Sequence, residues 1–300
     1  MTISVIIPVY KNRTLFIENL KNNFQFISDN EIVVIDDASH ESIAPSIKKI
    51  SSRIIVIENK KNLGFAKSVN IAASQARGEL FMMLNSDVKL IDDSYKRLIS
   101  DFNQNKNLFG VSFLQIEKNN NFVGKNSIEF KRGLIQHKTA SDKSVGMTGW
   151  LEGGSMILRK SFFDELGGFD AIYAPFYWED IDLSFRALKH GWQLIFDPSI
   201  KVYHNHQSTI GKYFSRAQIK RISFRNSFIF IWKNIHDRKM LFQHIILLPY
   251  NIIYYFLKGE RDFLWGFVDG LRLITQIIRK RRNEKKYCIK KDSEVLLMTK

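Results

Sequence analysis

The chain has 300 residues, of which 45% are hydrophobic and 25% charged, a composition that excludes disordered and collagen-like proteins. Its single cysteine, Cys288, excludes an internal disulfide framework and predicts a reducing compartment. Nearly all of the net charge of +15 lies in residues 201–300, where 21 Lys and Arg accompany 7 Asp and Glu. We therefore expect an acidic partner for the last third, either a nucleic acid or an anionic membrane surface.

The first part of the chain alternates short apolar runs with helical patterns. Strands are predicted at 3–9, 32–35, 54–57 and 80–84, and helices at 15–26, 42–50 and 65–76. This alternation is typical of an α/β fold with a parallel sheet. Residues 1–25 begin directly with a strand and lack the pattern of a secretory signal, which predicts a cytoplasmic location.

The middle of the chain is less regular. It contains the glycine pairs 153–154 and 167–168, followed by a helical pattern at 178–190, and is expected to complete the first domain. Beyond residue 210, basic and aromatic helical segments dominate. We therefore predict one domain over residues 1–210 and a basic, amphipathic helical extension over residues 211–300.

Three of the predicted strands end in segments that suit a ligand site. Tyr10 follows the first strand, Asp36 and Asp37 follow the second, and residues 85–87 follow the fourth. In open α/β sheets, ligands bind beyond the carboxyl ends of the strands. Each segment alone is also an ordinary turn, because Asp, Asn and Ser are common turn residues. Their joint placement favours a binding site at this edge of the sheet.

Five segments in a fixed order carry a resemblance to a known family. They are SVIIPVYKN, VVIDDAS, NLGFAKSVN, LNSDV and FYWEDIDLSFR, and they span roughly residues 3–206. This set resembles family 2 of the glycosyltransferases, and within it the rhamnosyltransferase-like enzymes of bacterial surface polysaccharide synthesis. The resemblance implies a GT-A fold, which is a mostly parallel sheet with flanking helices. It also implies an inverting mechanism and a nucleoside-diphosphate sugar donor.

The resemblance also implies a donor site. Asp37 is expected to accept the imide N–H of uracil or thymine, because a carboxylate is an acceptor only. The family's Asp-x-Asp element is reduced here to Asn85-Ser86-Asp87, which leaves one carboxylate. Asn85 or Ser86 is then expected to contact the sugar or ribose. The remaining donor-binding residues implied by the motifs are Pro8, Val9, Tyr10 and Gly64.

A divalent cation is the expected cofactor. The chain has neither a Walker-type phosphate loop nor a GxGxxG motif, so another group must neutralise the diphosphate. Mn²⁺ and Mg²⁺ prefer carboxylate and phosphate oxygens. By resemblance, Asp87 and a histidine after a late strand are the protein ligands. His204 is preferred to His206 because it is the first histidine after that strand.

The segment Trp178-Glu179-Asp180-Ile181-Asp182 offers three acidic candidates for a catalytic base. On a helix, Glu179 and Asp182 share a face and Asp180 points elsewhere. The resemblance makes Asp180 the base that deprotonates the acceptor hydroxyl, with Glu179 orienting the acceptor. An acidic first turn that only stabilises the helix is the alternative.

The acceptor site is expected around the segment Trp150-Leu151-Glu152-Gly153-Gly154, which resembles the family segment beside the donor sugar. Its predicted acceptor-binding residues are Trp150, Glu152 and Gly153, together with Trp178. Glycine permits close approach of a ligand to the backbone. The two tryptophans would stack on sugar rings, although a tryptophan is more often part of a core.

The extension carries two apolar segments, 240–257 and 263–278, followed by the basic run 279–282. Apolar helices beside clustered Lys and Arg are typical of proteins that lie on an anionic membrane. We therefore expect peripheral association with the inner face of the cell membrane, near a glycan or lipid-linked acceptor. A membrane-spanning hairpin and a soluble homodimer contact are the alternatives. Nucleic acid is not expected, because no zinc-finger or RNP pattern is present.

Two other functions remain open. A sugar nucleotidyltransferase shares a similar sheet but needs a glycine-rich loop after the first strand, and residues 8–14 contain no glycine. A non-catalytic membrane-bound module that retains the fold would explain the missing carboxylate at Asn85, whereas the intact pair Glu179-Asp180 counts against it.

Overall fold

The computed structural model describes residues 1–118, 121–204 and 210–299. Its strands are β1 Ile3–Val9, β2 Glu31–Asp36, β3 Ile55–Glu58, β4 Leu80–Leu84, β5 Val88–Leu90, β6 Leu108–Ile116, β7 Phe122–Val123, β8 Asn126–Lys131, β9 Leu134–Thr139, β10 Gly146–Met147, β11 Ser155–Arg159 and β12 Gln193–His204. The helices are α1 Arg13–Ile27, α2 Ala44–Lys48, α3 Phe65–Gln75, α4 Leu98–Gln104, α5 Lys160–Glu165, α6 Glu179–Lys189, α7 Ile210–Tyr213, α8 Arg216–Asn234, α9 Arg238–Leu257, α10 Asp262–Leu271, α11 Ile274–Glu284 and α12 Asp292–Met298.

One sheet organises the first two thirds of the chain. Its strand order is β10-β12-β6-β11-β4-β1-β2-β3, with β5 added beside β12 and β7 beside β6. The strands β4, β1, β2 and β3 are mutually parallel, and β11 is the antiparallel strand between β4 and β6. The four predicted strands are observed within one residue at each end. The predicted GT-A fold, with a parallel core and flanking helices, is confirmed.

The sheet is buried on both faces, as the continuous apolar strands require. In β1, the alternate residues Ile3, Val5, Ile7 and Val9 pack on the face covered by α1, whereas Ile6 packs on the opposite face with α3. This alternation follows from the two-residue period of a strand. The result is a rigid platform that ends at the edge where the ligand site is predicted.

The C-terminal helices pack onto this platform. Phe228 and Phe230 of α8, Phe263 of α10 and Ile277 of α11 belong to the same buried apolar cluster as Ile6 of β1. The helix α8 begins at a capping box in which Ser215 and Gln218 satisfy each other's backbone N–H groups. Residues on both sides of position 210 therefore share one core, while the predicted division into two domains at that position stays a prediction.

A buried ionic network joins α6 to the C-terminal helices. Asp182 accepts hydrogen bonds from Arg186 on its own helix at 2.8 Å and from Lys233 and Asn234 of α8, each at 2.7 Å. Lys233 also contacts Asp170 at 2.8 Å. Each buried charge has an opposite partner, and removal of one partner would leave an uncompensated charge in the core. The network thus fixes the start of α6, where the predicted acidic residues lie.

Candidate active site

The carboxyl ends of β1, β2, β4 and β12 open into one pocket of about 480 Å³. The segment before β11 and the segment that leads into α6 complete its wall. The predicted site residues on this wall are Pro8, Val9, Tyr10, Asp37, Gly64, Asn85, Ser86, Asp87, Glu152, Gly153, Glu179, Asp180 and His204. A larger and more open depression of about 840 Å³ lies beside α1, and none of the predicted site residues lines it.

Asp37 holds the loop on which Gly64 lies. Its carboxylate accepts the backbone N–H groups of Leu63 at 2.8 Å and Gly64 at 2.9 Å, and the side-chain amide of Asn59 at 2.9 Å. Gly64 has φ +82°, and a Cβ there would lie 3.2 Å from the carbonyl oxygen of Pro175. Asp37 therefore lines the pocket and also shapes the loop, and glycine is required where this loop meets the α6 segment.

Asp87 and His204 meet at the inner end of the pocket. His204 Nε2 lies 3.2 Å from Asp87 Oδ1, and its Nδ1 lies 2.6 Å from Gln115 Oε1. Gln115 Nε2 donates to Ser155 Oγ at 2.9 Å, so its carbonyl oxygen faces the histidine. Gln115 Oε1 therefore accepts the hydrogen bond of His204 Nδ1, and Nε2 is the ring nitrogen that faces Asp87.

The donor set at this end suits a divalent cation. Two ligands at right angles on an octahedral ion lie about 3 Å apart, which is close to the separation of Asp87 Oδ1 and His204 Nε2. The hydrogen bond that His204 Nδ1 donates to Gln115 Oε1 is the support that metal-bound histidines ordinarily have. Within the described ranges, no group of three His, Cys, Asp or Glu side chains is placed to hold a metal, so other ligands would come from phosphate and water. His206, the alternative ligand, lies outside the described residues.

Close backbone approach makes this arrangement possible. A Cβ on Gly154 would lie 2.9 Å from both Asn85 Nδ2 and His204 Cε1. The backbone N–H of Asn85 also donates to the carbonyl of Gly154 at 2.9 Å. Any larger residue at position 154 would push the Asn85 turn and His204 apart.

Three carboxyl groups, those of Glu152, Glu179 and Asp180, also line the pocket, and Glu179 is buried whereas the other two are partly exposed. Asp180 Oδ1 accepts the backbone N–H of Ile181 at 2.8 Å, and its Oδ2 accepts that of Gly153 at 3.3 Å. Glu152 accepts one hydrogen bond, from Asn126 at 2.7 Å. The Oε2 atom of Glu179 has no hydrogen-bond partner among the described residues.

The environments of these three carboxyl groups change their pKa values to different extents. Burial, with the neighbouring Asp180 charge, raises the pKa of Glu152 to about 7 and that of Glu179 to about 8. Burial also raises the pKa of Asp180, but two backbone N–H groups oppose this by stabilising its charged form. Glu179, with a pKa of about 8, therefore holds its proton near neutral pH, whereas the backbone N–H groups favour the charged form of Asp180.

The structure does not bring Trp150 and Trp178 to the pocket, which corrects the expectation that they stack on acceptor sugars. Their exposed fractions are 6% and 4%, and both belong to the buried apolar cluster. The ring of His137 packs edge-on against both, with centroid distances of 5.5 Å and 4.9 Å. Burying these two large apolar rings stabilises the core, so they are not available to stack on a sugar ring. Tyr177, which is 40% exposed, is an aromatic residue that does line the pocket.

Two family models match the chain. Glycosyl transferase family 2 matches residues 4–167, and Glycosyl transferase family group 2 matches residues 92–265. The chain belongs to glycosyltransferase family 2. The predicted resemblance is thus confirmed.

Similar proteins support the same family. An N-acetylglucosaminyl-diphospho-decaprenol L-rhamnosyltransferase of Mycobacterium tuberculosis is 41% identical over 64 residues, which are 21% of this chain and 20% of the relative. An uncharacterised glycosyltransferase of Haemophilus influenzae is 23% identical over 189 residues, covering 62% of each protein. The chain therefore spans less than two thirds of the length of these relatives.

Solved structures share the fold. GalNAc-T7 with UDP, GalNAc and Mn²⁺ has a TM-score of 0.62 at 16% identity, covering 92% of this chain and 57% of that one. S. aureus TarS 1-349 has a TM-score of 0.57 at 14% identity, covering 99% and 89%.

Sequence reasoning missed two supporting residues of this family 2 site. Gln115 lies near the end of an apolar strand, and the pairing of β6 with β12 brings it to His204. Asn226 lies on α8, and its side-chain amide donates to the carbonyls of Tyr173, Phe176 and Tyr177 at 2.8, 3.0 and 2.8 Å. It therefore holds the segment that leads into α6. A buried Gln or Asn in an apolar run is the signal that a sequence offers for such a role.

Proposed function

We propose that the protein is an inverting glycosyltransferase that moves a sugar from a UDP or dTDP donor to a hydroxyl of a glycan or lipid-linked acceptor. The observation that carries the proposal is one pocket that is lined both by the pair Asp87 and His204 and by Asp180. Inverting transfer needs these two functions on opposite sides of the anomeric carbon, because the leaving group departs opposite the attacking hydroxyl.

The donor end binds the nucleoside diphosphate. Pro8, Val9 and Tyr10 form the wall beside the base, and Asp37 keeps a further acceptor position for the base imide beyond its three loop contacts. Asn85 and Ser86 reach the ribose or the sugar. Asp87 and His204 would hold Mn²⁺ or Mg²⁺, which neutralises the charge that develops on the departing diphosphate.

The acceptor end performs the proton transfer. The acceptor oxygen attacks the anomeric carbon, the bond from that carbon to the diphosphate oxygen breaks, and Asp180 takes the hydroxyl proton. Glu179 keeps its proton near neutral pH and donates a hydrogen bond to the acceptor. Gly153 leaves space for the acceptor and holds Asp180 through its N–H, and Glu152 beside it also lines the pocket.

Relatives favour a surface glycan as the product. The rhamnosyltransferase of M. tuberculosis is named for a lipid-diphosphate acceptor, and a Poly-beta-1,6-N-acetyl-D-glucosamine synthase of Staphylococcus epidermidis is 26% identical over 178 residues. Together with the charge of residues 201–300, they support work at the cytoplasmic face of the cell membrane with peripheral attachment.

Thermal unfolding of the protein with a series of nucleotide-sugar donors, with and without Mn²⁺, tests this function. We expect one UDP- or dTDP-sugar to raise the melting temperature in the presence of the cation, because ligand binding stabilises the native state. The same donor should then lose its sugar slowly to water or quickly to a glycan acceptor, with inverted anomeric configuration by NMR. Release of pyrophosphate from a nucleoside triphosphate would instead indicate a nucleotidyltransferase. Donor binding with no turnover on any acceptor would indicate a non-catalytic module.

A further inference from the structure

The helix α9 is apolar on the side that faces away from the protein. Within the described part of the chain it is the one helix long and apolar enough to cross a bilayer. Its most apolar stretch has a mean hydropathy of 1.4, and 11% of the residues in that stretch are buried. Its exposed apolar residues recur every three to four positions and thus form one stripe. This outer face of α9 consists of Phe242, Ile245, Ile246, Tyr250, Ile253, Phe256 and Leu257.

Two polar side chains in the middle of α9, those of His244 and Asn251, are buried on its inner side, whereas Gln243 is exposed. His244 Nδ1 donates to the carbonyl of Gly133 at 2.6 Å, and Trp232 Nε1 donates to His244 Nε2 at 2.9 Å. Asn251 donates to the carbonyl of Arg132 at 2.9 Å. A helix that faces water has the reverse arrangement, with its apolar stripe inward. The outer face of α9 therefore needs an apolar environment outside this chain.

Cations surround the outer face at both ends. Arg238 and Lys239 are exposed at the start of the helix, and Lys258 and Arg261 are exposed just after it. Lys258 Nζ lies 4.8 Å from the ring centre of Tyr254, and the Arg261 guanidinium lies 5.9 Å from that of Phe256. Aromatic rings beside Lys and Arg are characteristic of the zone between lipid headgroups and acyl chains.

Two acids near the ends of α9 are engaged by other groups of the protein. Asp237 caps the N-terminus of α9, and Glu260 pairs with Lys220 at 2.6 Å. The surface around the outer face of α9 is therefore basic, and its charge is complementary to that of anionic lipid headgroups. A two-fold contact between copies would instead bring the same cations against each other, because both copies use one patch in such a contact. Like charges so placed are repulsive.

We propose that the outer face of α9 is a membrane-binding surface that lies in the headgroup region of an anionic leaflet, with the helix axis in the membrane plane. The proposal rests on the membrane attachment included in the proposed function and names the surface responsible. A spanning orientation would pull His244 and Asn251 away from the turn between β8 and β9, leaving polar groups unpaired. In-plane binding keeps these contacts and buries only the exposed stripe.

Flotation of the full chain with vesicles of phosphatidylcholine, with or without phosphatidylglycerol, tests the surface. We expect binding to the anionic vesicles to fall about tenfold or more for the double variant Ile246→Gln and Ile253→Gln, because each loses most of its apolar transfer energy. The matched control is Val145→Gln with Ile289→Gln, two exposed apolar positions outside α9, and it should float as the unmodified chain does. Equal loss in both double variants, or none in the first, would overturn the proposal.

Orientation is tested with an environment-sensitive fluorophore on a single cysteine, in a background that carries Cys288→Ser. Labels at Phe242→Cys, Tyr250→Cys and Leu257→Cys should all shift to shorter wavelength on vesicle binding and should be quenched at one shallow depth. A central label much deeper than the two end labels would show a spanning helix and overturn the in-plane orientation. Sedimentation without lipid tests whether a second copy of the chain covers this surface instead. A dimer that forms from the unmodified chain and is lost in the Ile246 and Ile253 variant would identify a second copy as the partner and overturn the proposal.

These results are independent of catalysis. The Ile246 and Ile253 variant should bind UDP or dTDP as the unmodified chain does, because the outer face of α9 does not line the pocket. A chain that floats but turns over no donor would contradict the proposed function alone. A chain that turns over a donor but does not float would contradict the membrane surface alone.

Discussion

At the scale of single residues, Asp180 lines the pocket and is held there by the backbone N–H groups of Ile181 and Gly153. Replacement by Asn removes the charge but keeps the shape, so the proton acceptor is lost while the donor end is unchanged. We expect Asp180→Asn to lower turnover by about 10²–10⁴-fold, the usual contribution of general base catalysis. Donor affinity, measured by calorimetry, should stay within about twofold of wild type, a difference of under 1 kcal/mol.

The matched control for this variant is Glu179→Gln, which changes the neighbouring residue by the same chemistry. Because Glu179 is proposed to donate a hydrogen bond, the amide should retain most of the turnover and raise KM for the acceptor. If Asp180→Asn keeps more than about a tenth of the turnover, its effect is under ~1.4 kcal/mol and Asp180 is not the base.

Glu179 also predicts a pH dependence of stability. Its pKa is raised from 4.5 to about 8 in the folded protein, so the native state holds a proton that the unfolded chain has lost over this interval. The free energy of unfolding should therefore fall as pH rises from 4.5 to about 8, by on the order of 1 kcal/mol per pH unit from this group.

The Glu179→Gln variant lacks this titration. Urea unfolding at pH 5 and pH 8 should show the variant gaining stability relative to the unmodified chain as pH rises. A difference between the two proteins that is the same at both pH values would contradict the raised pKa.

At the scale of elements, the site depends on strands that bring distant side chains together. Gln115 of β6 holds His204 of β12, so Gln115→Leu should weaken Mn²⁺-dependent binding of the nucleoside diphosphate by about 10–100-fold. Binding without the cation should be unchanged, which calorimetric titration with and without Mn²⁺ will measure. Loss of both kinds of binding would indicate that the pocket itself has collapsed.

His204→Ala and Asp87→Ala test the ligands directly by the same titration, with His206→Ala as control. We expect each of the first two variants to lose the cation-dependent part of the binding. Normal binding by His204→Ala together with loss in His206→Ala would move the ligand to His206.

The helix α8 controls the segment that leads into α6. Asn226→Ala removes the donor for three buried carbonyl groups, so the wall formed by residues 175–177 should loosen and KM should rise several-fold. Asn251→Ala on α9 is the matched control, since it also removes a buried amide, 3% exposed, but leaves the pocket untouched. Each change should cost about 1–3 kcal/mol of stability. Equal KM values in the two variants would exclude this role for α8.

These elements also mark how far sequence reasoning extends. The residues that follow β1, β2 and β4 could be placed in one pocket because strand ends are local features and parallel strands share an edge. Gln115, Asn226 and the two tryptophans could not be placed, since their surroundings come from pairing and packing with residues distant in the sequence. Whether a tryptophan faces a sugar or a core is decided by tertiary packing and not by its motif.

At the scale of the whole molecule, the extension serves as part of the core as well as a charged surface. Apolar residues of α8, α10 and α11 complete the cluster that includes Ile6 of β1. A chain that ends near residue 210 would expose this cluster and leave Asp182 without Lys233. We expect that fragment to be insoluble or to bind a hydrophobic dye strongly, as partly folded states do. A soluble fragment with cooperative thermal unfolding would show that residues 1–210 fold independently.

Two residues of the basic run 279–282 contact the rest of the fold, and the other two are exposed at the surface. Arg281 Nη1 donates to the carbonyls of Trp232 at 2.9 Å and Ile235 at 2.5 Å, and Lys280 contacts Asp170 at 2.9 Å. Arg279 and Arg282 are exposed. Only the exposed half of the run is therefore available to an anionic membrane, and its contact with a membrane stays a prediction.

Arg281 and Arg282 form a matched pair for separating fold from membrane charge. Arg281→Glu should lower the free energy of unfolding by about 2 kcal/mol or more, because two buried carbonyls lose their donor and a carboxylate is placed beside them.

Arg282→Glu should change stability by less than about 0.5 kcal/mol, as exposed substitutions do. It should still weaken flotation on anionic vesicles at about 0.1 M salt, and the loss should shrink at about 1 M, where the screening length falls to about 3 Å. Chemical denaturation and flotation measured on both variants separate the effects, and equal destabilisation of the two would show that Arg281 is not a structural residue.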